Sequence, residues 1–212
     1  MWRSALAALL VAAATPALAA APASFADALF ARMAQKPPVA TPFVQVAYRG
    51  VLDRPLIVSG TLRWAGGDRL ERDIERPFKA TAKVGNGEIA IQRGSGDVHH
   101  VALAQAPQVA ALLTGFRALL GGDAAILAQD FVVGAEGNAA HWVLTLTPRG
   151  ADLKRQLQSI VIDGRARTPR CLTLHEANGD TSITLLGSLA KAGLRSAAPL
   201  ESAVAARCRN DP

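Results

Sequence analysis

Four histidines, two cysteines and one close pair of carboxylates are the side chains that could do chemistry here. His99 and His100 are adjacent on an alternating segment, so their rings point to opposite faces and cannot easily share one metal ion. His141 and His175 have no neighbouring acid pattern. Zinc needs three or four convergent ligands, so neither a metal site nor a cofactor is expected. Asp73 and Glu75 share a strand face, but arginines flank them at 72 and 76. That pattern reads as a charge-laced, solvated strand and not as an acid–base pair. No Gly-x-Ser-x-Gly elbow, Ser-x-x-Lys pair or papain-like cysteine context occurs, so the chain is not expected to be an enzyme.

Cys171 and Cys208 are the two cysteines, with no Cys-x-x-Cys spacing that would suggest redox chemistry. In an oxidising compartment an even pair is a candidate disulfide, with two unpaired thiols as the alternative. A bridge would close a loop of about 37 residues and contribute ~3–4 kcal/mol in the chain-entropy account.

The compartment is readable at the N-terminus. Residues 1–19, MWRSALAALLVAAATPALA, carry a positive charge at Arg3 and an apolar run from Leu6 to Ala14. The run is well short of the ~20 residues that span a bilayer. Pro16 breaks it, and Ala17-Leu18-Ala19 is a small-x-small cleavage site, so a signal peptide cut after Ala19 is expected. No cysteine follows the cut to take a lipid. Arginine outnumbers lysine 18 to 5 and alanine is abundant, as in a GC-rich genome. Together these features predict an exported, soluble protein of a bacterial periplasm.

Half of the 212 residues are apolar, which excludes a disordered tail, while aromatics make up only 5%. The net charge of +6 comes from scattered basic residues. In an exported chain poor in aromatics, this speaks against nucleic acid and for solubility with weak attraction to anionic membrane surfaces.

The elements that must position any site follow from periodicity. Ser24 can cap a helix over residues 25–35, with Phe25, Leu29 and Met33 on one stripe. Alternating segments follow at residues 43–49, 56–64 and 70–75, at Phe78 to Val84, and at residues 89–91 and 98–103. Gly85-Asn86-Gly87 is a hairpin turn. The period then becomes helical, with Val109, Leu112, Leu113, Phe116, Leu119 and Leu120 on one face until Gly121-Gly122. Asp123 can cap a second short helix to Gln129. Alternation returns at residues 131–133, 141–147, 158–163, 170–175 and 181–186. The tail from Lys191 reads as loosely structured apart from its cysteine.

Strands with one apolar and one polar face imply an antiparallel sheet with one wetted side. About ten to eleven of them, with helices inserted and not alternating, predict a mainly β (α+β) fold. The expected form is a large curved antiparallel sheet or unclosed barrel, its apolar face covered by the helices.

Several pieces also match a known family in order: Phe43-Val44-Gln45, Gly60-Thr61-Leu62-Arg63-Trp64, Leu70 and Pro77, and Val84-Gly85-Asn86-Gly87. Trp142-Val143-Leu144-Thr145-Leu146-Thr147-Pro148, Leu153 and Ile160-x-Ile162-x-Gly164 complete the set. Over residues 24 to 187 the chain thus resembles the LolA-like periplasmic outer-membrane lipoprotein carriers, as a divergent member. The resemblance implies an unclosed barrel with a helical lid over a hydrophobic cavity within residues 20–190, the tail 191–212 lying outside. It implies acyl chains of a lipoprotein or other lipid as cargo, an inner-membrane exporter as donor, an outer-membrane acceptor, and a monomer. Candidate cavity residues are Leu62, Trp64, Leu112, Leu113, Phe116, Trp142 and Leu144; ordinary core is the alternative for each. A lipid- or lipoprotein-sensing module of similar fold is the alternative function. Two departures stand out, one being a C-terminal region that has no clear match and adds Cys208. The family's lid-latching arginine follows the Trp64-type strand, where this chain reads Ala65-Gly66-Gly67-Asp68-Arg69.

Overall fold

Alternating apolar and polar residues put one face of a strand in a core and the other in water, and most of this chain is written in that period. The computed structural model describes residues 24–210 except 123 and 195; for 107, 108, 111, 112, 116, 119 and 124 it describes the backbone only. The expected signal peptide, residues 1–19, lies outside the described residues, as does Asp123.

Six strands come first after helix α1 (Phe25–Met33): β1 (Val39–Tyr48), β2 (Leu56–Gly66), β3 (Arg69–Arg76), β4 (Ala80–Gly85), β5 (Glu88–Arg93) and β6 (Val98–Ala102). A 3-10 turn leads to helices α2 (Pro107–Gly121) and α3 (Ala124–Asp130). Then follow β7 (Phe131–Gly137), β8 (His141–Pro148), helix α4 (Ala151–Lys154), β9 (Leu157–Arg165), β10 (Thr168–Glu176) and β11 (Thr181–Leu186). Helices α5 (Ser188–Lys191) and α6 (Glu201–Asn210) end the chain.

The strands form one antiparallel sheet of 11, in the order β6-β5-β4-β3-β2-β1-β11-β10-β9-β8-β7. Two meanders are therefore joined through the β1–β11 pair, with Phe43 opposite Leu186 and Gln45 opposite Thr184. The sheet is unclosed, as the alternation predicts, because β6 and β7 are its two free edges. These edge strands are consecutive in sequence. The chain crosses from one to the other through α2 and α3, so connectivity alone carries these helices over the sheet.

The register sorts residues onto two faces. Phe43 and Gln45 of β1, Val58, Leu62 and Trp64 of β2, Leu70 and Arg72 of β3, and Leu186 of β11 share the face toward the helices, the concave face. Leu172 of β10, Ile162 of β9, and Trp142, Leu144 and Leu146 of β8 continue it. Over β7–β10 it is capped by Leu29, Phe30 and Met33 of α1 and by Leu127 of α3, all buried with it in one core. Each such side chain contributes roughly 1.5–3 kcal/mol of burial. Ser24 starts α1 with a reciprocal capping box to Asp27. The helix ends at Met33, two residues sooner than the stripe predicts, and the Gln35 amide donates to the Leu120 carbonyl of α2 at 2.8 Å.

Three further expectations need correction. Phe78 precedes β4 and is exposed, since Pro77 supplies no ladder donor. The tail is not loosely structured: α6 buries Val204 and Cys208, which lie four apart on one face. These pack with Val46, Ile183, Leu185 and Leu189 on the convex face of the sheet, forming a second core. Cys171 and Cys208 are disulfide-bonded, with Cα atoms 5.7 Å apart. Tyr48 closes this core with a hydrogen bond from its hydroxyl to the Pro199 carbonyl at 3.1 Å. Burial, and then the charge of Glu201, push its phenol up to about 12. Strand β11 is consequently buried on both faces from Thr181 to Leu186, and the sheet is not wetted on one side throughout.

Candidate functional site

Helices α1–α3 cover the concave face over β7–β10 and leave it less covered over β2–β3. Between the two regions runs a narrow apolar cleft that opens to solvent. Leu62, Trp64 and Leu70 form one wall; Ile162, Leu172 and Leu186 continue it across the sheet, and Leu120 of α2 overhangs. Gln35, at the α1–α2 junction, stands at its edge. The backbone bond from Gln35 to Leu120 therefore ties together the two helices that border the opening.

The candidate cavity residues fall into three groups. Leu62 and Trp64 line the cleft. Trp142 and Leu144 are fully buried in the core beneath the helices, and Leu113 is buried on α2. The side chains of Leu112 and Phe116 lie outside the described residues. Leu70, Ile162, Leu172 and Leu186 complete the lining; the first three sit on the apolar phase of their strands, whereas Leu186 shares its face with Thr184 and Ser182. What period alone cannot supply is which strands face one another across the cleft.

Trp64 and Trp142 are each pinned by the indole N–H. Trp64 donates to the Gly67 carbonyl at 3.1 Å, and Trp142 to the Ala166 carbonyl at 3.1 Å. Arg69, in the turn after the Trp64 strand, donates to the Ala65 carbonyl at 3.1 Å, within its own hairpin. The link between α1 and α2 is the backbone bond from Gln35 to Leu120.

Polar groups near the site are placed differently from expectation. Glu71, Asp73 and Glu75 of β3 all point to the convex face. There Asp73 pairs with Arg63 and accepts from Thr81 at 2.8 Å, and Glu71 lies 3.8 Å from Lys83. Arg72 does not belong to that charge-laced surface. It points to the concave face, with its guanidinium carbon 4.9 Å from the Phe43 ring centroid and Nη2 donating to Gln45 Oε1 at 2.6 Å. Burial pushes its pKa down. His141 does have an acid neighbour: Nε2 lies 2.9 Å from Asp163 Oδ1 on the convex face, where diagonal cross-strand positions meet. Among the described residues no three His, Cys, Asp or Glu side chains gather as a metal site would require, and no helix is long and apolar enough to cross a membrane.

An unclosed antiparallel sheet with helices over an apolar concave cleft defines a half-barrel binding fold. The profile of the outer membrane lipoprotein carrier protein LolA-like family matches residues 18–210, and the chain belongs to that family. Solved structures include a LolA superfamily protein from Nitrosomonas europaea, 12% identical, covering 78% of this chain and 93% of that one with a TM-score of 0.43. A DUF1329 family protein from Desulfovibrio piger is 13% identical and covers 84% and 97%, with a TM-score of 0.40. The structure of the CwlD amidase from Clostridioides difficile in complex with the GerS lipoprotein matches at 16% identity, covering 66% and 77%, with a TM-score of 0.35. No curated protein matches the sequence.

Proposed function

We propose that this protein is a periplasmic carrier without enzymatic activity. It holds acyl chains of a lipoprotein or other lipid in the concave cleft and moves them from an inner-membrane donor toward an outer-membrane acceptor. The observation that carries this reading is the apolar lining of Leu62, Trp64, Leu70, Leu172 and Leu186, beside helices joined at one junction. Acyl chains bind such a wall by burial alone, at roughly 0.8 kcal/mol per CH₂. Membership of the carrier family supports the same reading. The leader expected in residues 1–19 supports export.

Native mass spectrometry of protein purified from its own periplasm tests this. Co-purifying acylated mass supports the carrier. A clean apo mass, together with no uptake of added lipid, overturns it. Acylated mass that stays bound in the presence of acceptor membranes points to the sensing module instead.

A further inference from the structure

A guanidinium on the apolar side of a sheet is out of place unless something answers its charge. Arg72 occupies such a position. Its cross-strand neighbours are Leu62 and Ala82, and Leu70 and Ile74 flank it on the same face. Among the described residues no carboxylate lies within ion-pair distance of it. The acids of its own strand, Glu71 and Asp73, are turned to the opposite face toward Arg63 and Lys83. Its contacts are the Phe43 ring and Gln45 Oε1. Arg72 is half-buried, and a ring face and one neutral acceptor leave its charge without a counter-ion. Leu62 and Leu70, its direct and same-face neighbours, line the cleft.

We propose that Arg72 anchors the head group of a fatty acyl ligand: its guanidinium takes the carboxylate while the chain lies along Leu62, Leu70 and Leu186. A planar guanidinium presents two parallel N–H groups to a carboxylate. Gln45 accepts from Arg72 through its oxygen, which leaves the amide –NH₂ of the same side chain as a donor. One cation matches a singly charged head. The next arginine along this face, Arg93, is two strands away on β5, roughly 10 Å at the usual strand spacing. A phosphate would therefore meet one cation with nearly two charges. The proposal rests on the acyl-cleft reading above and names its substrate class.

Delipidated mature protein is titrated with palmitate, hexadecanol, hexadecyl phosphate and acetate. Palmitate should bind about tenfold more tightly than hexadecanol, the contribution of one charge-assisted hydrogen bond. Arg72→Gln should bring palmitate down to the hexadecanol level and leave hexadecanol unchanged. Should that variant lack a cooperative thermal transition, Arg72→Lys and Gln45→Leu replace it, each lowering the palmitate preference. Equal palmitate and hexadecanol binding by the unaltered protein overturns the anchor and keeps the acyl cleft. A preference that survives the substitutions does the same. Tighter hexadecyl phosphate overturns the carboxylate assignment, and acetate competing as well as palmitate places the anion site outside the cleft. If neither palmitate nor hexadecanol binds, the acyl-cleft reading fails as well.

Discussion

Trp142 and Gly164 face each other directly across strands β8 and β9, and the indole lies where a side chain at residue 164 would have to be. A Cβ on Gly164 would collide with the six-membered ring. This vacancy lets the largest buried side chain lie flat on the sheet and donate to the Ala166 carbonyl at 3.1 Å.

Gly164→Ala should therefore destabilise the protein by about 1–3 kcal/mol, the usual cost of overpacking a core. Gly121→Ala, where a new Cβ meets nothing within 4 Å, serves as the control and should be neutral or slightly stabilising. Urea midpoints of the two variants check this; equal shifts would remove the indole contact as the cause.

The Cys171–Cys208 bridge closes a separation of 37 residues and holds α6 on the convex face. Replacing both cysteines by serine should cost about 3–4 kcal/mol in the chain-entropy account. Amide exchange should speed up first in residues 201–210, with the concave core still protected. Uniform loss of protection would mean that α6 is integral to the whole fold.

Tyr48 is the single tyrosine of the chain, so phenolate absorbance reports it alone. Its pKa is raised from 10.0 to about 12 by burial and then by Glu201. The folded state thus retains a proton that the unfolded state gives up. Its stabilising contribution is complete below pH 10 and is lost as pH rises from 10 to about 12. Titration of native protein should show a midpoint near 12, falling to the ordinary value in denaturant, and Tyr48→Phe should flatten the alkaline loss of stability.

Gly122 ends α2 in the left-handed region at φ +75°, and a Cβ there would meet Ala34 Cβ at 2.8 Å and Phe30 O at 3.1 Å. Gly122→Val should force α1 and α2 apart where Gln35 meets Leu120, costing more than about 1 kcal/mol. Faster exchange at the Gln35 amide and faster acyl uptake are the expected readouts. Unchanged uptake would take this junction out of the path to the cleft.

Trp64 lines the cleft and Trp142 is fully buried. A brominated fatty acyl chain should quench Trp64 fluorescence and spare Trp142. Most of the quenching should disappear in Trp64→Phe. Quenching that persists there would place the chain elsewhere.

Local order was legible in the sequence because its signals are local. Ser24 marks a helix start, which the structure completes with Asp27, and Gly85-Asn86-Gly87 turns one strand into the next. Period-two alternation names the face of Leu62, Trp64, Leu144 and Leu146 without any tertiary knowledge. The change of period at Val109 marks the inserted helix. An unclosed, mainly β sheet follows from these alone.

Three things were decided only when distant segments met. The β1–β11 pair joins residues 133 to 143 positions apart, and no local signal specifies that Phe43 faces Leu186. Helix α6 fully buries just two residues, Val204 and Cys208; too weak a stripe to read, it is held by a disulfide and by the convex surface of β11. Arg72 sits among acids in sequence, yet the pleat turns it away from them toward Phe43 and Gln45. The sequence determined which residues alternate. The curvature of the sheet and the helices laid across it decided which alternating faces enclose a cleft, because burial depends on what covers a face and not on the strand that bears it.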